Sequence, residues 1–79
     1  MEQTVRELIT RLGVLQNATT IGLDTDLYDA GMSSHASVKL MLGLEDAFDI
    51  EFPDEALERE TFASIQSIVQ TIQGIQANE

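Results

Sequence analysis

Two adjacent hydroxyls, Ser33 and Ser34, followed at once by the single histidine, His35, are the side chains best equipped for chemistry in this sequence. A serine becomes a nucleophile when a base lies within hydrogen-bond reach. If the three residues open a helix, His35 projects about 100° around the axis from Ser34, so they form no self-contained catalytic couple. A serine at a helix start is also a good N-cap, because its hydroxyl accepts a bond from an otherwise unpaired helix N–H. The same helix start presents free N–H groups and a positive dipole end, which favour a phosphate placed on one of the serines. Capping and phosphate attachment both suit this position, and local spacing does not choose between them.

The acidic residues support less. Asp24, Asp26 and Asp29 are followed by Gly31 at the eighth position counted from Asp24. A calcium loop of the EF-hand type needs glycine at position six and glutamate at position twelve, so no metal site is assigned. The carboxylates between Glu45 and Glu60 fall mostly on solvated helix faces, and so short a chain offers no evident cleft for a glycosidase pair. With no cysteine, the chain has neither a thiolate nucleophile nor a disulfide framework. No catalytic residue is assigned.

These side chains must be positioned by a small structure. The 79 residues read as one domain, 1–79, with a modest core. Fourteen acidic against four basic residues give a net charge of −10, which repels nucleic acid and can steer the chain toward proteins with basic patches. No apolar run reaches membrane-spanning length and the opening MEQTVRELIT does not resemble a secretory signal, so a cytoplasmic location without membrane contact is expected.

Val5, Leu8, Ile9, Leu12 and Leu15 recur at helical spacing and predict a first helix from Glu2 to about Gln16. Residues Asn17 to Gly31 read as a long loop anchored by Ile21, Leu23, Leu27 and Tyr28, and loops of that length are often functional. A second helix runs from Ser33-Ser34 to Phe48 or Asp49, with Ser37, Leu40, Met41, Leu44, Ala47 and Phe48 on its inner side. Pro53 leads into a short helix near Asp54 to Glu58. Ile65, Ile68, Val69, Ile72 and Ile75 mark a last helix, capped by Thr61 or Ser64. The fold class is all-α, a bundle of three longer helices and one short one. On the opposite side of the second helix lie His35, Val38, Lys39, Leu42, Asp46 and Asp49. This is either an ordinary surface or a partner contact with apolar anchors ringed by charge.

The runs Asp26-Leu27, Gly31-Met32-Ser33-Ser34, Val38-Lys39-Leu40, Leu44-Glu45-Asp46-Ala47-Phe48 and Ile50-Glu51-Phe52-Pro53-Asp54-Glu55 together resemble the acyl carrier protein family. The likeness continues through Phe62-Ala63-Ser64-Ile65 and covers essentially the whole chain. It implies a four-helix bundle with a long first loop. It also implies a serine to which a phosphopantetheinyl transferase attaches 4'-phosphopantetheine from coenzyme A, using magnesium. The thiol of the arm then carries cargo as a thioester, with no need for a cysteine in the chain. Counting back from Leu44-Glu45-Asp46-Ala47-Phe48, the family register places the attachment at Ser34.

Family members usually read Asp-Ser-Leu there; Ser33 stands in the aspartate's place and His35 in the leucine's. Ala36, Ser37 and Lys39 occupy positions often acidic or polar in fatty-acid carriers, which implies discrimination against enzymes that expect an acidic second helix. More narrowly, Asp26-Leu27-Tyr28, Ala30-Gly31-Met32-Ser33-Ser34, Ala36-Ser37-Val38, Leu40-Met41-Leu42-Gly43 and Phe48-Asp49-Ile50-Glu51-Phe52-Pro53 look like the small bacterial aminoacyl carrier proteins. That resemblance implies a glycyl or alanyl cargo. It would be delivered by a stand-alone, ATP-dependent amino acid:carrier protein ligase that resembles a class II seryl-tRNA synthetase. The partner face would comprise Met32, Ser33, His35, Val38, Lys39, Leu42 and Asp46, on a monomer that is a substrate of other enzymes and not itself an enzyme. Two alternatives remain: a specialised acyl carrier for a fatty-acid, lipid or polyketide pathway, served by acyl-loading enzymes, and an unmodified helical interaction module.

Overall fold

A computed structural model describes residues 1–15, 18 and 20–78. Gln16, the predicted end of the first helix, and Asn17, the predicted start of the loop, lie outside the described residues. The described residues form three α-helices and two short 3-10 turns, so the all-α class holds.

Helix α1 spans Glu2–Arg11 and buries Val5, Leu8 and Ile9 on one face. Glu2 in its first turn and Arg11 in its last complement the helix dipole. It stops short of Gln16 because Gly13 takes a φ of 72°. The Gly13 N–H then bonds the Thr10 carbonyl at 3.2 Å and the Val14 N–H bonds the Ile9 carbonyl at 3.0 Å, the pattern of a left-handed glycine stop. Leu12 and Leu15 keep their predicted inward places, but beyond the helix, as half-buried side chains against the core.

Helix α2 spans Ser34–Phe48 and turns Leu40 and Leu44 fully inward. Ala47, predicted on the inner side, sits at the margin of that stripe and is exposed. Asp49 ends the helix in the left-handed region at φ 53°, and its N–H and that of Ile50 both reach the Glu45 carbonyl. The α1 stop packs closely on α2: a Cβ on Gly43 would lie 2.7 Å from Leu12 Cδ1.

The predicted short helix is a 3-10 turn, Asp54–Ala56, which Pro53 precedes, and a second turn, Arg59–Phe62, follows it. Neither turn carries the 3.6-residue periodicity from which helices are read, which is why the second was missed. Phe52 and Phe62 meet edge to face across this segment, with ring centroids 5.4 Å apart. Helix α3, Ile65–Ala77, buries Ile65, Ile68 and Ile72, and its cap is Ser64, whose hydroxyl accepts from the Ser67 N–H at 3.1 Å. Thr61, the other candidate, is buried in the second 3-10 turn.

The first loop is pinned at both ends. Arg6 reaches across from α1 and donates from Nη1 to the carbonyls of Ala18 and Ile21, each at 2.7 Å. Further along, the Leu27 N–H donates to the Ala63 carbonyl at 2.6 Å and the Gln66 N–H to the Leu23 carbonyl at 3.0 Å. Leu27 is a core anchor as predicted, whereas Leu23 is 42% exposed and ties the loop through its backbone alone. These bonds bring the end of the loop, the start of α2 and the second 3-10 turn together.

Candidate functional site

Ser33 and Ser34 take different places at the α2 start. Ser33 is the N-cap, with extended backbone and a hydroxyl that accepts from the Ala36 N–H at 3.0 Å. Ser34 is the first helical residue, and it is exposed. Among the described residues, neither the Ser34 N–H nor the His35 N–H has a hydrogen-bond partner, so two donors remain at the positive end of α2. The Ser34 carbonyl accepts from Ser37 Oγ at 2.6 Å, which further ties down the first turn.

Ser34 opens onto a groove of about 320 Å³ between α2 and the 3-10 segment. Ser37 and Val38 form its α2 wall; Leu57, Glu58, Arg59 and Phe62 form the opposite wall, and Tyr28 closes the end toward the first loop. Asp26 holds Tyr28 in place, because its Oδ1 accepts from the N–H groups of Tyr28 and Asp29 at 2.9 and 3.2 Å. The Arg59 guanidinium lies over the Tyr28 ring, 3.9 Å from its centroid.

The outer residues of α2 fall mostly where the periodicity puts them. Val38 and Leu42 are 51% and 56% exposed, and His35, Lys39 and Asp46 are exposed beside them. Met32, which precedes α2 and was expected on the partner face, is not exposed: its N–H bonds the Leu27 carbonyl at 2.9 Å, folding the segment back, and its side chain lies in the core at 3% exposure. It therefore forms no part of the exposed face. Lys39 also has an internal partner, since its Nζ donates to the Leu12 carbonyl at the C-terminal end of α1 at 3.3 Å. Leu57, 46% exposed on the far wall of the groove, was not singled out in the sequence, because it sits in an acidic stretch without helical periodicity. Arg59 was missed as well, although a lone cation among the acids from Glu51 to Glu60 was a visible signal.

An exposed serine at a helix start, with free N–H donors and a cation nearby, fits a covalently attached phosphodiester. Residues 3–72 match the family model for a phosphopantetheine attachment site, and the chain belongs to this family of carrier proteins. Its cofactor is therefore covalent 4'-phosphopantetheine. The chain is 53% identical over 73 residues to the aminoacyl carrier protein of Agrobacterium fabrum, covering 91% of this chain and 88% of that one. It is 34% identical over 77 residues to a D-alanyl carrier protein of Streptococcus pyogenes, covering 96% and 95%. In three dimensions it is similar to a carrier protein from Agrobacterium tumefaciens, solved with ATP and an engineered glycine:[carrier protein] ligase of Bradyrhizobium japonicum. The TM-score is 0.89 at 52% identity, over 94% of this chain and 97% of that one.

Proposed function

We propose that Ser34 carries the phosphopantetheine arm and that the arm holds a glycyl or alanyl thioester delivered by an ATP-dependent amino acid:carrier protein ligase. The exposure of the Ser34 hydroxyl at a capped helix start, with its neighbour Ser33 occupied as the cap, supports this choice of serine. A phosphopantetheinyl transferase would supply the arm. Ser34 Oγ attacks the phosphorus next to pantetheine in coenzyme A, the bond from that phosphorus to the adenosine bisphosphate breaks, and the serine proton leaves to a base of the transferase. The cargo assignment draws on the aminoacyl and D-alanyl carriers to which the chain is similar, and on the ligase bound to the carrier from A. tumefaciens.

The chain itself supplies no catalysis in this scheme; it presents its arm to partner enzymes in the cytoplasm. Val38 and Leu42 on α2, with Leu57 across the groove, are the apolar anchors of the docking face, and Ser33, His35, Lys39 and Asp46 border them. Mass spectrometry of the protein purified from its host, under conditions that spare thioesters, reads arm, residue and cargo together. Ser34→Ala is expected to abolish the modification and Ser33→Ala to leave it in place; the reverse would overturn the choice of serine. Incubating the armed protein with ligase, ATP and labelled glycine or alanine should give a hydroxylamine-sensitive adduct. Loading by fatty acids alone would exclude the aminoacyl reading.

A further inference from the structure

The groove beside Ser34 has one cation, and that cation is already positioned. Among the described residues, Arg59 makes no ion pair and no side-chain hydrogen bond, although Glu58 and Glu60 flank it in sequence. Its guanidinium carbon lies instead over the Tyr28 ring, 3.9 Å from the centroid, and among the described residues its N–H groups have no acceptor. Both partners are fixed from behind. Asp26 holds the Tyr28 backbone, and the 2.6 Å bond from the Leu27 N–H to the Ala63 carbonyl joins the loop that carries Tyr28 to the end of the turn that carries Arg59.

The other three cations are placed elsewhere: Arg6 is bonded to Glu2 and to the first loop, Lys39 reaches the end of α1, and Arg11 closes that helix. A phosphodiester on Ser34 adds negative charge to a chain whose net charge is already −10, in a groove that Glu58 also lines. A guanidinium on the same groove offsets that charge and can donate two parallel N–H bonds to phosphate oxygens.

We infer that Arg59, held over the Tyr28 ring, is the residue that pairs with the phosphodiester of the arm and thereby sets the direction in which the arm leaves Ser34 along the groove. The inference rests on Ser34 as the attachment residue. Arg59 is a positioning residue here, since the cargo thioester lies at the far end of the arm.

The test compares the apo and armed forms of the unaltered protein with those of Arg59→Gln, Arg59→Lys and Tyr28→Leu. Mass spectrometry first establishes arming at Ser34 in each. The readouts are the phosphorus-31 resonance of the armed chain and the nitrogen-15 and proton shifts of the Arg59 Nε–Hε group and of the amides of Ser34 and His35. In the unaltered protein, arming is expected to shift Arg59 Nε–Hε, and the phosphorus resonance should differ from that of the same armed chain unfolded in urea. Arg59→Gln should move the phosphorus resonance toward the unfolded position. Tyr28→Leu should do so in part, because the guanidinium loses its platform, and Arg59→Lys should fall between the unaltered protein and Arg59→Gln. High salt should act in the same direction as the substitutions. If the folded, armed Arg59→Gln protein keeps the phosphorus resonance and arming shifts of the unaltered chain, the inference is overturned, even if ligase charging falls; Arg59 would then be a partner contact. If the unaltered protein carries no arm on Ser34, the attachment reading has failed first, and the mass spectrum distinguishes that outcome.

Discussion

Ser33 and Ser34 are chemically identical neighbours, and one dihedral step separates their places at the start of α2. Ser33 has extended backbone, which aims its hydroxyl back at the Ala36 N–H; Ser34 is already helical, and its side chain faces solvent. Ser33→Ala should therefore lower stability by about 1 kcal/mol, the usual cost of losing an N-cap, while the proposed arming at Ser34 should persist. Urea denaturation beside the mass spectrum checks both parts; an unchanged midpoint would show that the cap contributes nothing. Arg6 shows what residue-level reading overlooks. It lies outside the apolar stripe of α1 and was not singled out in the sequence, yet it is only partly exposed and holds two loop carbonyls. Its pair with Glu2 is one turn apart and largely exposed on the Glu2 side, so the carbonyl bonds outweigh the ion pair.

Among the elements, the connector after α2 governs the groove, and Glu45 holds that connector. The Glu45 backbone carbonyl receives the two N–H groups that end α2, while its side chain Oε2 accepts from the Phe52 N–H at 2.9 Å. Phe52 is buried at 4%, so removing the carboxylate strands a buried donor. Glu45→Ala should cost about 2 kcal/mol in urea unfolding, and Glu45→Gln, which keeps an acceptor oxygen, clearly less. Equal effects for the two variants would mean that the bond contributes little. The helices themselves were legible because their apolar residues repeat at 3.6-residue spacing. The 3-10 turns were legible only around Pro53, since three- and four-residue turns offer no period to read. The end of α1 was signalled locally by Gly13, but Leu12 and Leu15 continued the apolar spacing past it and favoured a longer helix.

At the scale of the molecule, the proposed docking gives charge and apolar surface separate tasks. A net charge of −10 steers a small protein toward basic partner surfaces, and this long-range attraction is screened within about 10 Å at 0.1 M salt. The exposed Val38, Leu42 and Leu57, as the anchors of the proposed docking face, would act only on contact and be insensitive to modest salt. Loading by the proposed ligase should accordingly slow as sodium chloride is raised, chiefly through a higher KM for the carrier with kcat little changed. Steady-state kinetics across a salt series checks this; a KM that stays flat would remove steering from the account.

The sequence by itself determined the all-α class, three helices, the serine pair at the second helix start and the acidic character, because each depends on neighbours one or two turns away. Its resemblance to carrier proteins also singled out Ser34, which local spacing alone left level with Ser33. Only the tertiary structure decided that Met32 turns inward, that Lys39 reaches the end of α1, that Glu45 fastens Phe52, and that Arg59 meets Tyr28 on the groove beside Ser34. Lys39 and Leu12, like Arg59 and Tyr28, lie far apart in the chain and meet only once the loop and the connector have closed over the core. No local periodicity encodes such a meeting.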